Sequence, residues 1–282
     1  MISENYMIDI HSHILPEMDD GPETIEEAIE IARLAAADGT KTIFATPHMA
    51  ETNEFATATC VSESVKELQK AIDAQGITLN VVPGVEVYPS DDVLRAVDAG
   101  LPVKLASSNY LLLDCPLNII PMGFEQLVFS LQTRGITPIL AHPERSVVIQ
   151  EKPQILEPLV SRGMLVQCNA SSILGIHGRQ AEETMMLFLQ HKWVHFVASD
   201  AHSAGRRRPR LSEAVDTLLN LVGSEMTQEL AWHNGQRILN GEKVPSQPLA
   251  YSPKTRRNWL HKLIASRRGK YSENKLESNV CS

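Results

Sequence analysis

A parallel α/β fold is what this sequence predicts, on two observations. Short β-like apolar runs alternate with amphipathic helical stretches, and nearly every run ends in an imidazole or a carboxylate. The 282 residues suit one α/β barrel, which commonly needs about 250. A composition 43% hydrophobic and 21% charged supplies ample apolar surface for a single core.

Seven runs read as strands: 6–10, 42–46, 79–87, 110–114, 137–141, 164–168 and 194–199. The clearest helix follows the first. Thr24 and Glu27 form a capping box, Ile25, Ala28, Ile29, Ala32, Ala35 and Ala36 recur on one face, and Gly39 ends it. Further helices fit 61–74, 125–134, 155–162, 182–191 and 211–221. This alternation implies parallel strands joined by crossovers. Periodicity leaves an open doubly wound sheet and a closed barrel equally possible; the polar residues favour the barrel, whose catalytic groups converge where strands run out into loops.

The first run leads into His11 and His13, the second into His48, the third carries Glu86, the fourth ends in Asp114, the fifth in His142, and the last in Asp200 and His202. Only the sixth lacks such a group. His11 and His13 stand at i and i+2, so on extended backbone both rings face one side and can bind one ion, with Asp20 joining from the loop. Imidazoles mixed with carboxylates suit Mn²⁺, Fe²⁺ or Zn²⁺, and bridging carboxylates allow ions about 3.5–4 Å apart. Singly, each residue has a plainer account: His48 or His142 as a hydrogen-bonded loop residue, Asp114 as a cap. Their joint placement decides. Arg145, in AHPER, and the run Arg206, Arg207, Arg208 and Arg210 put guanidinium groups near the same mouth, where phosphate oxygens are the natural target, although GRRRPR also reads as a solvated basic loop.

No cysteine is followed six residues later by arginine, and GxSxG and GxxxxGK[ST] do not occur. Thiol phosphatase, serine hydrolase and nucleotide-loop chemistries are thereby weakened. The net charge of -8 divides into about +6 over the last stretch and about -14 elsewhere. An acidic body argues against a nucleic-acid partner and suits a site that concentrates cations. Cys60, Cys115, Cys168 and Cys281 are widely spaced, the pattern of reduced cytoplasmic thiols rather than a disulfide framework. Neither a leader nor an apolar stretch of about 18 residues is present, so the expected location is cytoplasmic. The domain division is a catalytic barrel over 1–243 and a basic tail over 244–282. Within the tail, 255–268 can form a helix with Trp259, Leu260, Leu263 and Ile264 on one face, suited to a membrane surface.

MIDIHSH, the DDG of Asp19 to Gly21, TPH ending at His48, PGVEVY, AHPER and ASDAH together resemble the PHP family. They are most similar to its bacterial tyrosine-phosphatase branch of capsule and exopolysaccharide loci, from Met7 to about Gly241. The resemblance implies a distorted TIM-like (β/α)7 barrel and two or three divalent ions, manganese first, iron or zinc next. It implies metal ligands at His11, His13, Asp20, His48, Glu86, Asp114, His142, Asp200 and His202, with Glu86 as a bridge. Arg145 and one arginine of the run, named as Arg206 with Arg207 and Arg208 left open, would hold phosphate, and Asp200 or His202 would assist the leaving oxygen. Asp114 stands where glutamate is expected. The implied activity is phosphotyrosine hydrolysis by a metal-activated hydroxide. The implied partner is a membrane-associated tyrosine kinase of polysaccharide export, met at the inner face of the membrane. The ligand set alone also admits a histidinol-phosphatase-like enzyme or a non-catalytic metal-binding regulatory module.

Overall fold

The computed structural model describes residues 6–49 and 54–246, with side chains of the second segment described from residue 60. In chain order the elements begin β1 (Met7–Ser12), α1 (Ile25–Ala37), β2 (Thr40–Ala45), α2 (Glu54–Ala74), β3 (Asn80–Pro83), β4 (Glu86–Val87) and α3 (Asp91–Asp98). They continue with β5 (Tyr110–Leu113), α4 (Phe124–Thr133), β6 (Thr137–Ala141), α5 (Val147–Glu151), α6 (Leu156–Ser161), β7 (Leu165–Asn169) and α7 (Ala170–Ile173). Last come α8 (Arg179–His191), β8 (Phe196–Ala198), α9 (Leu211–Val222), α10 (Ser224–Gln228), a π-helical turn at Glu229–His233, and α11 (Asn234–Leu239).

All strand pairs are parallel, in two sheets of order β1-β2-β3 and β4-β5-β6-β7-β8. Backbone hydrogen bonds join the sheets along two seams. At one, Asp200 N–H donates to His11 C=O at 3.0 Å and His13 N–H to Ala201 C=O at 2.8 Å; at the other, Met49 N–H donates to Glu86 C=O and Glu86 N–H to Pro47 C=O, each at 3.0 Å.

Among the departures from the sequence reading, two have a plain physical cause. The run 79–87 is two strands, one in each sheet, because Pro83 has no N–H to continue a ladder and Gly84 passes tightly between neighbours. A Cβ on Gly84 would lie 2.8 Å from Leu105 Cδ2, and its N–H donates to Ala45 C=O at 2.9 Å. The first helix realises half of a capping box: the Thr24 hydroxyl accepts from Glu27 N–H at 3.3 Å, while the Glu27 carboxylate accepts from Glu23 N–H one residue earlier. Its buried stripe is Ala28, Ile31, Ala32 and Ala35, three alanines that let α1 lie close to the sheet.

Ile8, Ile10, Phe44, Leu112, Ile139, Leu165 and Phe196 face one another in the core. In β1 the register slips between Asp9, paired with Ile43, and Ser12, paired with Ala45. Two residues there, Ile10 and His11, oppose one, Phe44, a bulge that shifts the side-chain alternation by one. His11 and His13 therefore continue the inward face that Ile8 and Ile10 begin. The floor beneath is closed by α11, where a Cβ on Gly235 would lie 2.7 Å from Ile8 Cγ2. The packed body extends past residue 243: Val244 is buried, its N–H donates to the Tyr110 hydroxyl at 2.7 Å, and that hydroxyl donates to Glu242 C=O at 2.9 Å. The amphipathic segment read at 255–268, like Cys281, lies outside the described residues.

Candidate metal centre

The side chains singled out in the sequence gather at one end of the strands, across the seam between β1 and β8. His11 Nε2 lies 3.2 Å from His13 Nε2, and Glu86 Oε2 lies 3.3, 3.4 and 3.1 Å from His11 Nε2, His13 Nε2 and His48 Nδ1. Glu86 Oε1 lies 3.1 Å from His142 Nε2, with Asp114 Oδ1 3.7 Å beyond it. Asp200 Oδ1 lies 3.6 and 3.5 Å from His11 and His13 Nε2, and Asp20 Oδ1 lies 3.1 Å from His202 Nε2 and 3.8 Å from His48 Nε2. Three overlapping ligand groups result: His13, Asp20, His48 and His202; His11, Glu86 and His142; His11, His13 and Asp200.

Glu86 is central because it opens β4 at the second seam, and a single carboxylate there reaches all three groups. His11, His13 and Glu86 are fully enclosed, whereas the Asp20 side chain is 59% and that of His48 44% exposed, so the cluster has a dry floor and an open rim. Burial favours the uncharged form of Glu86, yet the imidazoles of His11, His13 and His142 hold its carboxyl well below the usual range. Burial likewise opposes charge on His13, but Asp19 and Glu86 outweigh it and push that imidazole up to about 10. Carboxylates at this density thus call for cationic partners.

The donors fit a metal. Glu86 Oε2 and His202 Nε2 are buried with no aligned hydrogen bond and only other proposed ligands within about 3.5 Å, and His142 Nδ1 is buried without a partner, although a buried polar atom ordinarily has one. Asp19 Oδ2, an acceptor, sits 2.6 Å from His13 Nδ1, so the proton belongs on Nδ1 and the Nε2 lone pair faces the cluster. Imidazoles held by a carboxylate in this way are the usual metal ligands, and cations would displace the protons that the carboxylates otherwise attract.

Backbone conformation helps to aim the ligands. His142 (φ 38°) and Asp200 (φ 52°) both adopt the left-handed region, uncommon outside glycine. Each follows a strand directly or nearly so, and the turn swings the side chain inward over the strand end.

Two guanidinium groups overlook the cluster. Arg145 Nη1 donates to Asp200 Oδ2 at 2.8 Å, and Arg207 Nη2 donates to both Asp200 oxygens at 3.1 Å while its Nη1 reaches Asp20. Arg206, assigned from the sequence, is exposed and makes no ion pair among the described residues. The physical reason is a tight turn in which His202 N–H donates to Arg207 C=O at 2.9 Å, bringing Arg207 back to the strand end and leaving Arg206 outside.

Sequence reasoning also passed over the residues that orient the cluster. Asp19 holds His13 and accepts from His48 N–H at 2.8 Å. Asp9 accepts from His11 N–H at 3.3 Å and Ser199 N–H at 3.0 Å, pinning the ends of β1 and β8 together. Glu144 Oε1 accepts from Asn169 N–H at 2.9 Å and the Ser172 hydroxyl at 2.6 Å. Asp19 was legible as part of DDG, and Gln167 and Asn169 as polar residues at i and i+2 on an otherwise apolar strand.

Comparison with known proteins gives a consistent result. The sequence profile of the family described as capsular polysaccharide synthesis, CpsB/CapC, matches residues 7–240. The tyrosine-protein phosphatase YwqE of Bacillus subtilis is 36% identical over 242 residues, 86% of this chain and 95% of that protein. The putative tyrosine-protein phosphatase CapC of Staphylococcus aureus is 34% identical over 86% of this chain and 94% of its own. Among solved structures, one from a study of YwqE of Bacillus subtilis and CpsB of Streptococcus pneumoniae, described as unique metal-dependent tyrosine phosphatases, superposes with a TM-score of 0.80 at 35% identity. It covers 86% of this chain and all of that one.

Proposed function

The chain belongs to the CpsB/CapC family of capsular polysaccharide synthesis, and from that premise we propose that it is a metal-dependent tyrosine-protein phosphatase. Its substrates would be phosphotyrosine proteins that regulate capsule or exopolysaccharide synthesis. The observation that carries the reading is the convergence of His11, His13, Glu86, His142, Asp200 and their neighbours on one buried point beneath two arginines.

His11, His13, Asp20, His48, Glu86, Asp114, His142, Asp200 and His202 are the proposed ligands of two or three divalent ions, manganese in preference to iron or zinc. When bound, such ions supply Lewis acidity and a hydroxide nucleophile near neutral pH. The chain's own residues supply the rest. Arg145 and Arg207 already grip a planar anion, the Asp200 carboxylate, and the same forks suit the oxygens of a phosphate dianion. Arg207 replaces Arg206 in this role on the strength of its contacts. The leaving phenolate, with a pKa of about 10, asks little of a general acid, so its departure does not depend on a proton donor among these residues.

The two seams between the sheets support reading the fold as a distorted barrel with the ligands at its mouth. Among the described residues no helix is long and apolar enough to cross a membrane. We place the enzyme in the cytoplasm, meeting a membrane-associated tyrosine kinase as substrate.

The test is manganese-dependent phosphate release by the purified chain from a phosphotyrosine peptide, histidinol phosphate and a short oligonucleotide, beside a His11→Ala/His13→Ala variant, with metal content measured in parallel. Preference for the peptide, lost in the variant, is the expected result. Preference for histidinol phosphate would keep the centre and overturn the substrate; inactivity despite bound metal would leave a regulatory module.

A further inference from the structure

Opposite the histidines, β7 contributes two neutral side chains to the cluster, Gln167 and Asn169, both fully buried. Their hydrogen bonds form one chain. Asp200 Oδ2 accepts from Arg145 at 2.8 Å and Arg207 at 3.1 Å, so it is a carboxylate with no proton to give. It also accepts from Asn169 Nδ2 at 2.7 Å, which fixes that amide: nitrogen toward Asp200, oxygen toward Gln167. Asn169 Oδ1 in turn accepts from Gln167 Nε2 at 2.9 Å, which leaves Gln167 Oε1 pointing at His11 Nδ1, 3.0 Å away. A carbonyl oxygen can only accept. The ring proton of His11 therefore sits on Nδ1, and the Nε2 lone pair is turned toward Glu86, His13 and Asp200.

We propose that Gln167 and Asn169 are positioning residues that relay the orientation of Asp200 to His11, fixing its tautomer and presenting Nε2 as a ligand. Reversing either amide would set oxygen against oxygen or nitrogen against nitrogen somewhere along the chain, so the three groups adopt one polarity together. Two of the proposed ligands, on strands at opposite ends of the sequence, are thus set by one unbranched line of hydrogen bonds. The relay rests on the metal-centre reading above, but it needs no assumption about the substrate.

The test uses the full-length protein and two readouts that do not require turnover. The first is the Mn²⁺ dissociation constant by chelator competition for the wild type, Gln167→Met, Gln167→Glu and Asn169→Leu. Loss of a partner that orients a ligating histidine commonly weakens metal binding about 10–100-fold. That range is expected for Gln167→Met, with a smaller loss for Asn169→Leu, whose amide holds Gln167 in register and donates to Asp200 without touching His11. Gln167→Glu keeps an acceptor beneath Nδ1 but loses the donor to Asn169 Oδ1, so its affinity falls between those of the wild type and Gln167→Met. The second readout is the position of the His11 ring proton in ¹⁵N-labelled protein loaded with diamagnetic Zn²⁺, seen by long-range ¹H–¹⁵N correlation; Nδ1 is expected. A proton on Nε2 in the wild type overturns the relay even if no variant folds. Wild-type affinity in folded Gln167→Met, or equal weakening by Met and Glu, overturns it as well. Absence of phosphatase activity with both readouts as expected would remove the functional reading and leave the relay standing.

Discussion

His195 carries a prediction that can be worked to a number. Its side chain is fully buried; Nδ1 accepts from Val166 N–H at 3.1 Å, so the ring proton is on Nε2, 3.1 Å from the Ser246 carbonyl it donates to. The ring is therefore neutral and has no place for a second proton: protonated Nδ1 would confront a backbone N–H. Burial lowers the pKa from 6.5 to about 4. Above 6.5 neither folded nor unfolded His195 binds the extra proton, and pH has no hold on stability through this group. Between 6.5 and about 4 the unfolded chain takes up a proton that the folded chain refuses, so stability falls as pH falls. A shift of this size, at 1.36 kcal/mol per unit, amounts to about 3 kcal/mol once pH is below both values. Against the 5–15 kcal/mol typical of a domain, that is a large share. The assay is urea unfolding of metal-free protein from pH 4 to 7.5, wild type beside His195→Asn, whose amide can still accept from Val166. The variant is expected to be less stable at pH 7.5, and the gap should close by about 3 kcal/mol toward pH 4. A gap that stays constant with pH would refute the argument, since the contributions of the other titrating groups cancel in the difference.

Arg207→Ala should lower kcat/KM for a phosphotyrosine peptide about 10–150-fold, the value of a charge-assisted contact of about 1.5–3 kcal/mol, while Arg206→Ala should change it little; steady-state kinetics on both variants decides which arginine serves the site. Gly21→Ala would place a Cβ 2.3 Å from the His13 carbonyl oxygen, a backbone atom that cannot give way, so Mn²⁺ affinity should fall sharply with far-ultraviolet circular dichroism retained. Saturation with Mn²⁺ at about 100 times its dissociation constant should stabilise the fold by about 2.7 kcal/mol, seen as a rise in Tm that EDTA reverses. Asp19→Asn should weaken Mn²⁺ binding about 10–100-fold, because the carboxylate that holds His13 Nδ1–H becomes a neutral amide; chelator competition reads it.

The alternation of strands and helices was legible because each leaves its own period in the apolar residues: of the stripe read on α1, Ala28, Ala32 and Ala35 are buried, with Ile31 rather than Ile29 completing it. The break at Pro83 and Gly84 was passed over because β-like residues continue on both sides; Pro-Gly signals a break, but the move to a second sheet depends on the approach of Leu105. α3, α5, α7, α10 and α11 were missed; none exceeds eight residues, too few turns for an apolar period to show, and α11 continues the π-helical turn. The nine side chains now found together could be collected from the sequence because metal-ligating residue types are few and stand at strand ends. The roles of the residues that orient them could not: Gln167 and Asn169 stand out only as polar positions on an apolar strand, and no local pattern announces a hydrogen bond between β7 and β1 or between Asp9 and Ser199. Choosing Arg207 over Arg206 likewise needed the backbone bond that curls the loop after His202.

The cluster draws its members from Asp9 at one end of the body to Arg207 at the other, with contributions from nearly every strand between. A ribosome translating this chain therefore releases His11 and His13 long before Asp200 and His202 exist. No growing chain that stops short of β8 can bring the two seams together, and contacts this distant in sequence form late and slowly. Free cations meet only scattered side chains until β8 and the loop after it have been made. Timing then protects the unfinished chain: tight capture of an ion becomes possible only when the last strand docks beside the first, so metallation would report completion of the fold.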